Sequence, residues 1–220
     1  MAKKTLEGVR VAVLATDGFE QVELTGPVKQ LRKRGARVDI VSLRPGTIRG
    51  MNLIALGKQV KVDETVTSVS PNDYDALFIP GGFANPDFLR QSEQALMFVR
   101  AFDRASKPIG VICHAPWVLV SAGLAHGREL TSWPGISDDV RNAGATWRNA
   151  PVVRDRNWLS SRGPMDLPAF EEALVDFFAD AVPADARRPA AHGVVSRLVR
   201  TAVMAAGAFA LKRAYTALRA

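Results

Sequence analysis

Apolar residues in this chain come in short, β-branched runs that alternate with longer stretches of helical period. Val9 to Ala15 is the first run; after Thr16-Asp17-Gly18-Phe19, the segment Glu20 to Arg34 places Leu24, Val28 and Leu31 at helical spacing, with Gly35 as a stop. Arg37 to Leu43 reads as a second strand, so the opening is a right-handed βαβ unit with parallel strands. From 44 to 70, Pro45, Gly46, Gly50 and Gly57 break the chain into pieces such as Gln59-Val60-Lys61-Val62, which predicts small strands on the sheet's edge. Pro71 to Asp75 is a turn cluster, and Ala76 to Ile79 is a third core strand that ends in Pro80-Gly81-Gly82. A helix from about Ser92 to Ser106 carries Ala95, Val99 and Phe102 on one face. The run Ile109 to Ile112 reads as a buried strand, followed by a helix from Pro116 through Ala122 that Gly123 stops. Glu129 to Trp133, Thr146-Trp147, Val152-Val153 and Asn157 to Ser161 are short strand candidates, the last pair joined across Asp155-Arg156-Asn157. Pro168 then sits in the first turn of a closing helix to about Ala181. This alternation predicts an α/β fold: a mostly parallel, doubly wound sheet with helices on both faces.

Composition adds a boundary. The 220 residues are 47% hydrophobic and 23% charged, as expected of a globular domain. Pro183 and Pro189 mark a linker, so residues 1–183 form the α/β domain and 184–220 a basic, Ala-rich helical tail, with Val194 to Leu218 as its helix. The tail holds Arg187, Arg188, Arg197, Arg200, Lys212, Arg213 and Arg219 against Asp185 alone, which is nearly all of the net charge of +7. The body therefore has no bulk electrostatic reason to bind nucleic acid. The uninterrupted apolar piece of the tail, Ala202 to Leu211, is far shorter than the roughly 20 residues a membrane span needs. The tail is expected at a subunit interface or an anionic membrane surface. Met1-Ala2-Lys3-Lys4 is not followed by an apolar signal region, which predicts a cytoplasmic protein.

Cys113, the only cysteine, stands between the strand Ile109 to Ile112 and the helix from Pro116. A lone cysteine is ordinarily a small core hydrophobe. A sharp strand-to-helix turn, however, would project its side chain into the crevice at the carboxyl end of the sheet, beside helix amides that favour a thiolate. Glu20 follows the first strand and Gly81-Gly82 the third, so three distant segments converge on that crevice. A carboxyl beside the thiol could move protons, and backbone amides at the glycines could approach an oxyanion. Taken singly, Glu20 reads as a solvated first-turn glutamate and the glycines as a plain turn. His114 could act as acid or base, or cap the helix. Trp117 and Trp133 predict an apolar pocket lining. His126 and His192 read as surface residues, and no metal-ligand spacing is present.

Together, Gly18-Phe19-Glu20-Gln21-Val22-Glu23-Leu24, Pro80-Gly81-Gly82, Ile112-Cys113-His114-Ala115-Pro116, Thr131-Ser132-Trp133-Pro134-Gly135-Ile136 with Asp138-Asp139, and Asn157 to Arg162 resemble the PfpI family of intracellular cysteine hydrolases. The likeness runs from about Val9 to Phe178. That family is related to the Parkinsonism-associated deglycases and belongs to the class I glutamine-amidotransferase-like superfamily, whose fold is flavodoxin-like. The resemblance implies Cys113 as nucleophile, Glu20 as the protonated partner of its thiolate, Gly82 and the His114 amide as oxyanion donors, and Gly81 and Trp117 at the substrate. It implies His114 as the family's adjacent histidine, oriented by an acidic residue of a neighbouring subunit, here Asp87, in a loop that departs from the family pattern. It further implies a homo-oligomer, dimer or hexamer, with no cofactor and no metal. The expected activity is that of a stress-response enzyme acting on small aldehydes or glycated proteins (glyoxalase III or deglycase type). The alternatives are a peptidase or acyl hydrolase and a redox-sensing chaperone. Glutaminase relatives carry a His-x-Glu pair downstream of the nucleophile, which this chain lacks.

Overall fold

A computed structural model describes residues 4–187; most of the tail expected from the sequence, 188–220, lies outside the described residues. The chain opens with β1 (Arg10–Leu14), the short β2 (Phe19–Glu20), α1 (Gln21–Lys33) and β3 (Arg37–Ser42). Strands β4 (Thr47–Asn52), β5 (Ala55–Lys61) and β6 (Glu64–Thr65) lead to β7 (Ala76–Ile79). Helices α2 (Ala84–Arg90) and α3 (Glu93–Arg104) precede β8 (Ile109–Ile112) and α4 (Pro116–Ser121). The remainder is β9 (Glu129–Leu130), α5 (Ser137–Asn142), β10 (Thr146–Trp147), β11 (Val152–Asp155), β12 (Trp158–Ser161) and α6 (Leu167–Ala181).

Seven strands form the main sheet in the order β11-β12-β8-β7-β1-β3-β6. Every pairing in it is parallel except the β11–β12 hairpin at one edge. The period of two along each strand divides the core between two layers. Val11, Val13, Phe78 and Ile112 face one layer with Leu24, Val28, Leu31, Leu174 and Phe178 from α1 and α6. Ala12, Leu14, Leu77, Ile79 and Val111 face the other, against Phe98, Val99, Phe102, Val118 and Leu119 from α3 and α4. The doubly wound architecture is thus the one the pattern predicts.

Three local expectations change. Only β6 of the 44–70 segment joins the main sheet; β4 and β5 pair with β2 in a separate three-stranded sheet. The segment around Asp87, expected as a loop from the family resemblance, forms α2, in which Asn85 turns inward, accepting from the Thr16 amide (2.7 Å) and donating to the Pro80 carbonyl (2.8 Å). The strand expected over 129–133 is only Glu129–Leu130, paired in parallel with β10. At the other boundary, Arg187 folds back on the body, donating to the carbonyls of Thr5, Ala179 and Val182 at 3.0 to 3.1 Å. Among the described residues no helix is long and apolar enough to cross a membrane.

Candidate active site

Between β8 and α4 the chain turns in three residues, and Cys113 takes the turn with φ at +63°. A side chain in that left-handed region costs on the order of 1–3 kcal/mol, so the surroundings must hold it there. They do so from both sides: the Cys113 amide donates to Ser161 O (3.0 Å), and its carbonyl accepts from the Trp133 amide (2.9 Å). Pro116 tolerates the first turn of α4 because that position needs no N–H. The elbow leaves the thiol at the carboxyl end of β8, where the amides of Gly82 and His114 favour its ionised form.

The carboxyl beside that thiol belongs to Glu23, not to Glu20. Helix α1 begins at Gln21 and buries Glu23, Leu24, Pro27, Val28 and Leu31, one continuous stripe. Glu23 is 0% exposed. A Cβ built on Gly81 would collide with Glu23 Oε2 and lie 2.5 Å from Cys113 Cβ, so a glycine leaves the space in which the two groups meet. Neither Glu23 oxygen has a well-formed hydrogen bond. Its polar neighbours are the Cys113 thiol and the amides of Gly81 and Gly82. Burial pushes the Glu23 pKa up to about 8; interaction with the thiol pulls against this, and the charge of Glu20 adds to it. Glu23 is therefore a neutral acid below that pH.

Glu20 is the N-cap of α1, with extended backbone (φ −66°, ψ 122°), and its side chain leaves the buried stripe. Its carboxylate accepts instead from the Leu53 amide at the tip of the β4–β5 hairpin (2.9 Å). The spacing of Glu20 and Glu23 is that of a capping box, in which the second residue reaches back to the N-cap amide. Here that amide donates to Gly81 O (3.3 Å), which leaves Glu23 free to face the thiol. The signal was present in the sequence: a carboxyl at 23 falls inside the apolar stripe 23, 24, 27, 28, 31, whereas 20 precedes the helix.

Burial also pushes the Cys113 thiol up, as does the negative charge of an ionised Glu23, while the amides of Gly82 and His114 draw it down. Two acids in one dry pocket cannot both ionise easily, so once the first proton has left, the pair holds one charge and shares the remaining proton.

His114 Nδ1 stands 3.2 Å from Cys113 Sγ. Its pKa is lowered by burial, which favours the neutral imidazole. The ring is enclosed by Trp117 (5.2 Å between centroids), Phe83 (5.9 Å) and Trp133, which stacks at 6.0 Å. Trp117 Nε1 donates to Asp139 Oδ2 (2.9 Å). Phe83 is 70% exposed and forms an open apolar rim. Gly82, at φ +85°, packs closely against the Gly18 carbonyl and the Glu20 amide. Asp87 lies in the first turn of α2, where Gln91 Nε2 donates to its Oδ2 (3.1 Å). His126 is exposed, and His192 lies outside the described residues. Among the described residues no group of three or more His, Cys, Asp and Glu is placed to hold a metal ion. A hollow of about 850 Å³, lined by Lys4, Arg34, Glu171 and Val175 among others, shares no residue with this site.

The sequence profile of the DJ-1/PfpI family matches residues 9–177. The chain is 44% identical over 167 residues to the deglycase PH1704 of Pyrococcus horikoshii, across 76% of this chain and 98% of that protein. It is 42% identical over 168 residues to protein/nucleic acid deglycase 2 of Escherichia coli, across 75% and 95%. Its fold is similar to that of DJ-1beta from Drosophila melanogaster, with a TM-score of 0.70 at 23% identity over 79% of this chain and 95% of that one, a likeness of fold alone. The matched segment begins just before β1 and ends inside α6, so it takes in every strand and every residue of the elbow. Relatives aligned along nearly their whole length, together with that profile, place this chain in the DJ-1/PfpI family.

Proposed function

We propose that the chain is a cofactor-independent cysteine enzyme acting on reactive 2-oxoaldehydes or on their adducts with protein amines, as a glyoxalase III or a deglycase. The observation that carries this reading is Glu23, a wholly buried carboxyl without a well-formed hydrogen bond, set against a thiol on a left-handed elbow. With the proton on Glu23 and the charge on sulfur, the pocket holds a nucleophile and an acid together. The thiolate adds to the aldehyde carbon of methylglyoxal, and a donated proton turns the former carbonyl oxygen into the hydroxyl of a hemithioacetal. The C1 proton then passes to a base, Glu23 or the neutral His114, and returns at C2; C1 is oxidised to a thioester as C2 is reduced to an alcohol. Water cleaves the thioester to lactate and restores the thiol, so the net change is methylglyoxal plus water to lactate. On an amine adduct the amine leaves and the same product forms. The Gly82 and His114 amides offer their hydrogen bonds to oxyanions formed on the way.

The expected result is loss of lactate formation by Cys113→Ala, and a fall on the order of 10²–10⁴-fold by Glu23→Gln, the range for a lost acid–base group. Wild-type rates in either variant would overturn the proposal. Release of amine from a methylglyoxal-treated arginine peptide faster than its spontaneous dissociation assigns the deglycase form; release no faster than that assigns the free aldehyde as substrate.

A second reading, acyl or peptide hydrolysis, draws on the 3.2 Å contact between Cys113 Sγ and His114 Nδ1. It requires a carboxylate to orient the imidazole. Among the described residues no carboxylate hydrogen-bonds to the His114 ring, which packs against Phe83, Trp117 and Trp133, so that carboxylate would come from a second copy, with Asp87 as the candidate. An acyl-enzyme trapped during peptide turnover would favour this reading.

A further inference from the structure

Glu20 is 8% exposed and anchored twice: its carboxylate holds the Leu53 amide at 2.9 Å, and its own amide holds Gly81 O at 3.3 Å. Leu53 sits at φ +57° at the tip of the β4–β5 hairpin. A Cβ on Gly82 would lie 2.5 Å from the Glu20 amide, which puts Glu20 directly behind the loop that carries the two glycine amides. N-cap and N3 positions of one helix are neighbours, with side chains about 6 Å apart at their bases. A fixed negative charge is thus held one helical turn from the buried acid that the proposed chemistry uses.

We infer that Glu20 is a positioning residue whose fixed charge, held by the Leu53 amide, keeps the catalytic proton on Glu23. This rests on the reading of Glu23 as the acid of the site. The groups that bear on Glu23 are few: Glu20 on its own helix, Cys113 from the elbow, and the uncharged amides of Gly81 and Gly82. His114, also on the elbow, faces the thiol. Of the two charged neighbours, Cys113 is the reacting group itself, so Glu20 is the one whose charge does not change during turnover. The charge of Glu20 raises the pKa of Glu23, in addition to the larger effect of burial. Through Leu53 the β4–β5 hairpin fixes where that charge lies.

The test is the pH profile of kcat/KM for methylglyoxal, whose alkaline limb reports the essential acid of the free enzyme. Glu20→Gln keeps an acceptor for the Leu53 amide but removes the charge. It should move the alkaline limb down by between about half a pH unit and two units, the range for a unit charge some 6 Å away at effective dielectrics between water and a protein surface. Glu20→Asp keeps the charge and should stay nearer the wild-type limb than Glu20→Gln does. A purely structural role would instead lower the rate at every pH and leave the limb in place. The inference is overturned if the limb of Glu20→Gln coincides with that of wild type, or if Glu20→Asp moves it as far. Glu23→Gln separates the two levels. If it abolishes turnover while Glu20→Gln leaves the limb unmoved, only the role of Glu20 falls; if it keeps wild-type turnover, the reading of the site falls and the role of Glu20 with it.

Discussion

At position 23 the fold keeps a carboxyl where water does not reach, and that choice has a thermodynamic signature. Below its ordinary pKa near 4.5, Glu23 is protonated in both the folded and the unfolded chain, and folding carries no penalty from it. Between there and about 8 the unfolded chain ionises while the folded one does not, so stability falls as pH rises, by up to about 1.4 kcal/mol per pH unit. Above that both forms are ionised and the loss levels off. Glu23→Gln should abolish this decline and gain stability relative to wild type as pH rises through the window. Denaturant midpoints at four or five pH values check it; parallel wild-type and variant curves would contradict it. The same position shows where sequence reasoning stopped. The motif around residues 18–24 was readable, but it pointed only to Glu20 as the partner of the thiol; separating it from Glu23, three residues on, depended on the residue at which α1 begins. Helix ends are the least sharply encoded feature of a sequence, and here the start fell at Gln21, leaving Glu20 outside the buried stripe.

At the scale of elements, the site is made by ends and turns. Strand β7 stops at Ile79, and Gly81, after Pro80, passes between Glu23 of α1 and Cys113 of the elbow without a side chain. Gly81→Ala should therefore separate the pair: its methyl would meet Glu23 Oε2, Cys113 Cβ and the Ile112 carbonyl, none of which lies on a freely moving chain end. We expect a loss of about 1–3 kcal/mol, as for an overpacked core, and a fall in turnover beyond what the lost folded fraction explains. Gly110→Ala is the control, since its methyl would meet chiefly Leu174 Cδ1, the far end of a flexible side chain on α6. It should cost less stability and leave turnover per folded molecule unchanged. Thermal melts with turnover normalised to folded protein read both variants; equal effects would contradict this account of the loop. The core strands and long helices were readable because their apolar periodicity is strong. Helix α2 was not, since it is held by the buried side chain of Asn85 rather than by a pattern of its own. The β2-β4-β5 sheet was missed for a related reason: β5 has no fully buried residue, so its pairing leaves little trace in hydropathy.

Across the described molecule, the parallel sheet is what brings Glu23, Gly82 and Cys113 together from three segments, the outermost two 90 residues apart. Strand order sets β7 between β1 and β8, so the loops after all three open at one end of the sheet. That convergence followed from the sequence alone, since any doubly wound parallel sheet gathers its strand ends this way. Which atom of the converged pair bears the charge did not, because it depends on amide directions and burial that only the fold supplies. The rate of Cys113 alkylation by iodoacetamide as a function of pH, followed by mass spectrometry in wild type and Glu23→Gln, measures it directly. If the proton rests on Glu23 and the charge on sulfur, replacing the carboxylic acid with the less acidic amide donor of Gln weakens the hydrogen bond to the thiolate, and the midpoint of alkylation rises. A midpoint that stays or falls would place the charge on the Glu23 carboxylate and leave the thiol neutral, contradicting the account.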